Sequence, residues 1–270
     1  MKSKIGKFFG LIINFFNNYI FQFFGFKLLI KSKKNFKSIF DGRQLKYDSE
    51  GYFYVFPKLS KVELDEYYKK EYLDTFRLDI KYGVIPQDFF HMQMLKDLVP
   101  KFEKKVSSIL NFGSGHGGIS HILDFAGEFH LLTLDPTKSP LELANSQIQH
   151  IYDFEKIADK SIDLIYSSHS LEHVSDLETT LSEFKRILKN NGLLFIEVPN
   201  ADHYEDGPQN NRIDIPHTYY FQQKYFLNNF DVQFSETFNM ERFNVKDWND
   251  NIEEGGRVII SLLKFKNTGS

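Results

Sequence analysis

Apolar residues fall along this chain in several distinct rhythms. Residues 8–30, FFGLIINFFNNYIFQFFGFKLLI, are mostly apolar, yet Lys7, Gly10, Asn14, Asn17, Asn18, Gln22 and Gly25 recur at three- and four-residue steps. On a helix these positions make one polar stripe opposite a broad aromatic face. Lys2, Lys4 and Lys7 come first, and Lys31, Lys33, Lys34 and Lys37 follow. A bilayer-crossing helix asks for about 20 uniformly apolar residues, which the amides and glycines interrupt. A signal peptide asks for a small-residue cleavage site, and none follows the apolar run. Two readings of residues 1–40 stay open. One is a helix lying in the membrane interface, its lysines on anionic headgroups, which makes peripheral membrane contact. The other is a helix packed onto the domain, or onto a second copy in a homodimer. The interfacial reading is preferred.

Residues 41–85 read as a small preface, with short strands and a turn in GYFYVFPKL and a helix starting near Lys61 in KVELDEYYKKEYLDTF. From Pro86 the positions Phe89, Phe90, Met92, Leu95, Leu98 and Val99 keep a helical period until Pro100 stops it. Beyond Val106 strand-like runs (VSSILNF, HLLTLD, SIDLIYSS, GLLFIEV) alternate with helical segments over 117–125, around 141–146 and over 177–188. That alternation predicts an α/β fold with a parallel sheet and helices on both faces. YFQQKYFLNNF reads as a last helix. DVQFSETFNMERF and RVIISLLKFK then read as two strands without a helix between them, so residues 86–270 form one domain closing on an antiparallel hairpin.

Composition narrows the function classes. At 270 residues the chain suffices for one large domain with a modest appendage. The absence of cysteine excludes disulfides, thiolate nucleophiles and cysteine-ligated metal centres, and fits a reducing, cytoplasmic setting. A formal charge of -3 argues against a nucleic-acid partner, which usually leaves a basic footprint on the domain. The 29 Phe and 14 Tyr are ascribed to compositional bias ahead of any binding surface.

The chemistry begins at ILNFGSGHGGIS. Gly113, Gly115, Gly117 and Gly118 stand where a strand ends and a helix starts, so the backbone can take positive φ and touch a ligand. The next strand ends on Asp135, about 20 residues beyond the glycines, where a carboxylate can accept both hydroxyls of a ribose. Asp135 also suits a helix N-cap before Pro136 and Thr137. Taken together, the two features favour a nucleoside ligand.

Four blocks in order, ILNFGSGHGG, LLTLDP, YDFEKIADKSIDLIYSSHSLEHVSD and FKRILKNNGLLFIEVPN, resemble a class I S-adenosylmethionine-dependent methyltransferase over the central third of the chain. The resemblance is to the group acting on small molecules and sugars. It implies a Rossmann-like, seven-stranded, mostly parallel sheet with one reversed strand, and S-adenosyl-L-methionine as cofactor. By the same resemblance the glycine loop (Gly113, Gly115, Gly117) holds the methionine part and Asp135 the ribose. Asp153 and Phe154 meet the adenine edge and face, and Asn111, Pro136, Ser168 and His169 complete the pocket. Asn111 departs from the family, which commonly has an acidic residue there; the amide keeps hydrogen-bonding ability without the charge.

HSLEH places His169 and His173 four apart around Glu172, the spacing of certain zinc peptidases if it lies on a helix. The surrounding sheet pattern argues against that chemistry, and no metal is expected. Methyl transfer to a hydroxyl needs alignment and removal of a proton, for which His169, His203 and His217 are the candidate bases. Tyr204, Tyr219 and Tyr220 offer either stacking on a sugar or packing. The preface resembles the region before the core in enzymes that methylate sugars of surface glycans, so the expected reaction is O-methylation of such a sugar or its precursor at the inner membrane face. The alternatives are N-methylation of a small, phosphorylated metabolite and a non-catalytic cofactor-binding subunit.

Overall fold

The computed structural model describes residues 39–68, 85–115, 117–127, 129–136, 147–203, 217–239 and 247–266. Strands β1 (Gln44–Asp48) and β2 (Tyr52–Phe56) form an antiparallel hairpin around Gly51, whose φ of 110° suits only glycine. Helix α1 (Lys61–Tyr67) starts at Ser60, whose hydroxyl accepts from the Glu63 amide while the Glu63 carboxylate accepts from the Ser60 amide. This reciprocal cap satisfies two amides that a helix start leaves open. Helix α2 (Pro86–Leu98) has proline at its first position, and the Asp88 carboxylate accepts from the Ile85 amide at 2.8 Å. The short α3 (Phe102–Lys105) leads to β3 (Ser108–Phe112), α4 (Gly118–Ala126), β4 (His130–Leu134), β5 (Ile148–Ile151) and β6 (Ile162–Ser168). After α5 (Leu177–Ile187) and β7 (Leu188–Pro199) come β8 (Tyr219–Phe221), α6 (Gln223–Asn229), β9 (Phe230–Phe238) and β10 (Val258–Phe265).

The main sheet runs β5-β4-β3-β6-β7-β10-β9, with β5, β4, β3, β6 and β7 parallel and β10 antiparallel to both β7 and β9. This is the seven-stranded sheet with a reversed strand that the resemblance implies. Side-chain alternation divides the core between its faces. Ile109, Leu164 and Phe195 join Phe90, Met94 and Leu95 of α2 and Ile122 and Leu123 of α4 on one side. Leu110, Ile165, Leu194 and Ile196 meet Phe184 and Ile187 of α5 and Phe226 of α6 on the other. Each fully buried side chain of this kind is worth roughly 1.5–3 kcal/mol.

One polar clamp locks the strand starts together. The Asp163 carboxylate accepts from the amides of Ser107 and Ser108 at 3.0 and 3.1 Å, from both serine hydroxyls at 2.8 and 2.9 Å, and from the Lys189 ammonium at 2.9 Å. Burial alone would raise this carboxyl, but those donors outweigh it and hold it down to about 2.

Several expectations are corrected here. Strand β5 lies in a stretch to which the periodicity assigns no element. YFQQKYFLNNF is not all helix, since Tyr219–Phe221 pair with β2 and only Gln223–Asn229 coil. The preface is thereby joined to the rest of the chain, as a three-stranded sheet ordered β1-β2-β8. Tyr219 and Tyr220 are 3 % and 2 % exposed, so they pack and do not offer faces to a sugar. A 3₁₀ turn, Trp248–Asn251, lies between β9 and β10. The expected helices over residues 1–40 and around 141–146, and Tyr204, lie outside the described residues. Among the described residues no helix is long and apolar enough to cross a membrane.

Candidate functional site

The carboxyl ends of β3, β4, β6 and β7 gather the polar residues that the sequence singles out. After β3 the chain turns through Gly113, Gly115 and Gly117 with φ of 69°, 51° and 78°. A Cβ on Gly113 would stand 2.0 Å from the Ser170 hydroxyl, so only glycine fits. Ser170 in turn donates to the carbonyls of Gly113 at 3.2 Å and Ser168 at 2.9 Å, tying the glycine loop to the end of β6. Gly117 starts α4 in the left-handed region. Asp135, just past β4, accepts from the Gly115 amide at 3.0 Å. The loop and the carboxylate, two separate sequence features, thus meet along one edge of a crevice.

Asn111 is buried and donates its amide to the Ser120 hydroxyl of α4 at 2.9 Å. That bond fastens the strand to the helix behind the glycine loop. Asp153 is exposed and precedes a 3₁₀ turn, Phe154–Lys156. Phe154 stacks on Phe112 with ring centres 5.8 Å apart and meets Phe184 edge-on. Arg186 of α5 holds this turn by donating to the carbonyls of Phe154 and Ile157, both at 2.9 Å, and to the Asp159 carboxylate at 2.6 Å. Pro136 is exposed beside Asp135.

A second group of side chains surrounds the end of β6. Glu197 of β7 has no exposure to solvent, and its carboxylate accepts from the Ser168 hydroxyl and, at 2.7 Å, from Gln87 of α2. His91 of α2 lies 3.4 Å away and bonds the Tyr166 hydroxyl at 2.7 Å. Burial opposes ionisation of Glu197, yet His91, His169 and the Ser168 bond hold its carboxyl down to about 2. His169 follows with a left-handed φ of 48°, so HSLEH is not one helical face; Leu171–His173 is a single 3₁₀ turn. Its ring nitrogens lie 3.4 Å from Glu172 and 3.8 Å from Glu197. Burial of the ring opposes its charging, but Glu197 and Glu172 raise it to about 9. The imidazole is 42 % exposed, and solvent softens both effects.

Glu172 is 1 % exposed, with His173 at 3.6 Å on its other side. Burial works against its charge, and the imidazoles of His173, His169 and His217 hold it below the usual carboxylate range. His217 reaches this point because Thr218 donates its amide and its hydroxyl to the Glu172 carbonyl, each at 2.8 Å, and the hydroxyl also bonds the Val174 carbonyl at 2.7 Å. Burial and His173 lower the His217 ring to about 4, leaving it neutral at pH 7. His203 stands apart, exposed, with Nδ1 donating to the Gly255 carbonyl at 2.8 Å.

A family model described as a methyltransferase domain matches residues 90–239. The chain belongs to this methyltransferase family. No curated protein sequence matches it. Among solved structures, the methyltransferase is similar to Burkholderia thailandensis 1,6-didemethyltoxoflavin-N1-methyltransferase, which holds 1,6-didemethyltoxoflavin and S-adenosylhomocysteine, at 13% identity and a TM-score of 0.52. That match covers 83% of this chain and 100% of the other. It is also similar to a chain from the complex between the Haloferax volcanii Trm112 methyltransferase activator and a methyltransferase, at 14% identity and TM-score 0.49, covering 76% and 98% of the two chains. A Methanococcus maripaludis methyltransferase structure matches at 23% identity and TM-score 0.35, over 50% of this chain and 60% of the other. At 13% identity the Burkholderia likeness speaks for the fold alone.

The methyltransferase fold therefore brings Gly113, Gly115, Gly117 and Asp135 together, and separately groups Ser168, His169, Glu172, His173 and His217. Sequence reasoning missed Glu197, Gln87 and His91. A carboxylate in the middle of GLLFIEVPN, and a histidine on the core side of an apolar helix, are the signals that pointed to them.

Proposed function

We propose that this methyltransferase O-methylates a sugar of a surface glycan or of a glycan precursor. S-adenosylmethionine is the cofactor, and it supplies the electrophilic methyl group and the leaving group. One observation carries the cofactor side: the Asp135 carboxylate stands within hydrogen-bond distance of the positive-φ glycine loop, at the carboxyl ends of adjacent parallel strands. Open sheets bind nucleoside ligands at that crevice. Asp135 then accepts from ribose hydroxyls, the glycine amides meet the methionine part, and Asp153 with Phe154 borders the adenine. Ser168 and His169 close the pocket over β6.

The acceptor side is proposed to lie beside residues 200–203, which follow β7. Transfer to a hydroxyl forms a C–O bond and breaks the sulfonium S–CH₃ bond, and the hydroxyl proton must go to a base. His203 fits that role among the three candidates. Its Nδ1–H is fixed on the Gly255 carbonyl, which leaves Nε2 as the basic nitrogen at an exposed position. His169 is instead engaged by two carboxylates, and His217 is turned inward against His173 and Tyr220. Residues 1–40 are proposed to hold the enzyme at the membrane interface, where lipid-linked precursors reside.

The test is transfer from methyl-labelled S-adenosylmethionine to nucleotide sugars and to isolated glycan, with the product identified as an O-methyl ether by mass spectrometry. Label appearing only as N-methyl in small metabolites would replace the sugar reading. Cofactor binding with no turnover on any acceptor would make the protein a binding subunit. Co-sedimentation with anionic liposomes that survives deletion of residues 1–40 would refute the interfacial helix.

A further inference from the structure

We infer that Glu172, His173 and His217 form a divalent-cation site, built from one carboxylate oxygen and two imidazole nitrogens. The ligand atoms of these residues all lie within 4.8 Å of one another. Around one ion with bonds of about 2.0–2.2 Å, neighbouring ligands sit roughly 3–4 Å apart, so side-chain adjustment alone closes the set.

The independent evidence is an unmet need for a partner. Neither oxygen of Glu172 makes a hydrogen bond, although the residue is 1 % exposed. The nearest imidazole nitrogens, at 3.4 and 3.6 Å, are beyond good hydrogen-bond length. His217 adds a buried Nδ1 that likewise makes no hydrogen bond. A buried carboxylate without a hydrogen bond is uncommon in native folds, and such groups usually answer to an ion or a water. The cluster is also held in place before any ligand arrives. Thr218 fastens the backbone next to His217 onto the Glu172 carbonyl, and the His173 amide donates to the Ser170 carbonyl at 3.1 Å.

The sequence expectation was no metal, with HSLEH considered only as a helical pair of His169 and His173. The fold breaks that pair and substitutes His217, which is 44 residues beyond His173 in the chain. Three protein ligands with open positions are the arrangement of a catalytic ion, which lowers the proton affinity of a bound oxygen. Resting on the methyl-transfer reading, the ion's role is to hold the acceptor hydroxyl and make it more acidic: its proton goes to the base already assigned, His203, the oxygen takes the methyl carbon, and the S–CH₃ electron pair returns to sulfur. The site itself does not depend on that reading.

The experiment uses the full chain, stripped with chelator. Mn²⁺ is titrated and followed by loss of the free-ion electron paramagnetic resonance signal, Zn²⁺ is titrated by calorimetry, and S-adenosylhomocysteine binding is measured on the same samples. The expected result is about one ion per chain, weakened at least about tenfold by Glu172→Gln and by His217→Ala, with both variants still binding S-adenosylhomocysteine. The inference is overturned if wild-type protein that binds S-adenosylhomocysteine takes up neither ion, or if both variants bind ions as wild type does. Ion uptake lost in the variants, in a protein that binds no S-adenosylhomocysteine, would uphold the site and sink the methyl-transfer reading.

Discussion

Asp135→Ala tests the cofactor side with a quantity that can be worked in advance. The substitution removes the carboxylate proposed to hold the ribose and also leaves the Gly115 amide, now bonded at 3.0 Å, without its acceptor. Hydrogen bonds to a charged group contribute about 1.5–3 kcal/mol each. Because the site opens to solvent we take about 2 kcal/mol for the loss, which is about thirtyfold in Kd. With S-adenosylhomocysteine at about 100 times the wild-type Kd, ligand stabilises the native protein by about 2.7 kcal/mol, and in the variant by only about 0.9 kcal/mol. For a domain of this size about 1 kcal/mol corresponds to about 2–4 °C in Tm, so the ligand-induced shift should fall from about 5–10 °C to about 2–3 °C. The ligand-free protein should lose the exposed Gly115 bond, worth about 0.5–1 kcal/mol, and remain folded by circular dichroism. Calorimetry and thermal denaturation provide the two readouts. A Kd unchanged within about threefold in a folded variant would refute the ribose assignment and reduce Asp135 to a loop fastener.

Three further outcomes follow from the same geometry. Gly113→Ala places a methyl 2.0 Å from the Ser170 hydroxyl at a φ of 69°, so it should cost about 2–4 kcal/mol in urea denaturation and abolish cofactor binding, while an unchanged midpoint would contradict the packing. Arg186→Ala frees the Phe154 and Ile157 carbonyls without removing a proposed cofactor contact; S-adenosylhomocysteine should bind roughly threefold to tenfold more weakly by calorimetry, and unchanged affinity would count against Phe154 as an adenine neighbour. Asp163, held at about 2 against 3.8 for a free carboxyl, stabilises the fold fully above pH 4, and that contribution disappears as pH falls from about 4 to about 2. Asp163→Asn should therefore cost about 2 kcal/mol at pH 7 and flatten the acid limb of the stability curve, whereas parallel curves would refute the clamp.

The parallel core was legible because its strands are continuous apolar runs between helical periods, and because Gly115 and Asp135 are bound by local rules about strand ends. Strand β5 escaped notice for a physical reason. It is a four-residue edge strand whose middle residues, Gln149 and His150, are polar and not buried, so the run lacks the apolar signature of its neighbours. Strand β8 was absorbed into the helix after it, since three aromatic residues before an amphipathic stretch carry no period of their own. Glu197 carried no signal of its own because its meaning comes from Gln87 and His91, about 110 residues earlier on another element. The meeting of His217 with Glu172 was equally hidden, for it rests on backbone bonds from Thr218.

Those long-range dependencies divide the molecule into two mechanical halves. The proposed cofactor side is fixed by the parallel sheet itself: Gly113 is held through Ser170, Asp135 sits at a strand end, and the Phe154 turn is fastened through Arg186 to a core helix. The acceptor side hangs on different bonds. His217 leads straight into β8, which is paired to β2 of the preface, while Tyr220 packs with Phe40, Val55, Leu59 and Leu64 in a small separate core. A change in that minor core bears first on Thr218 and the Glu172 carbonyl, and reaches the glycine loop only through the His173–Ser170–Gly113 bonds. On the proposed reading, acceptor choice is set around residues 39–68 and 217–221, apart from the strand ends proposed to hold the nucleoside.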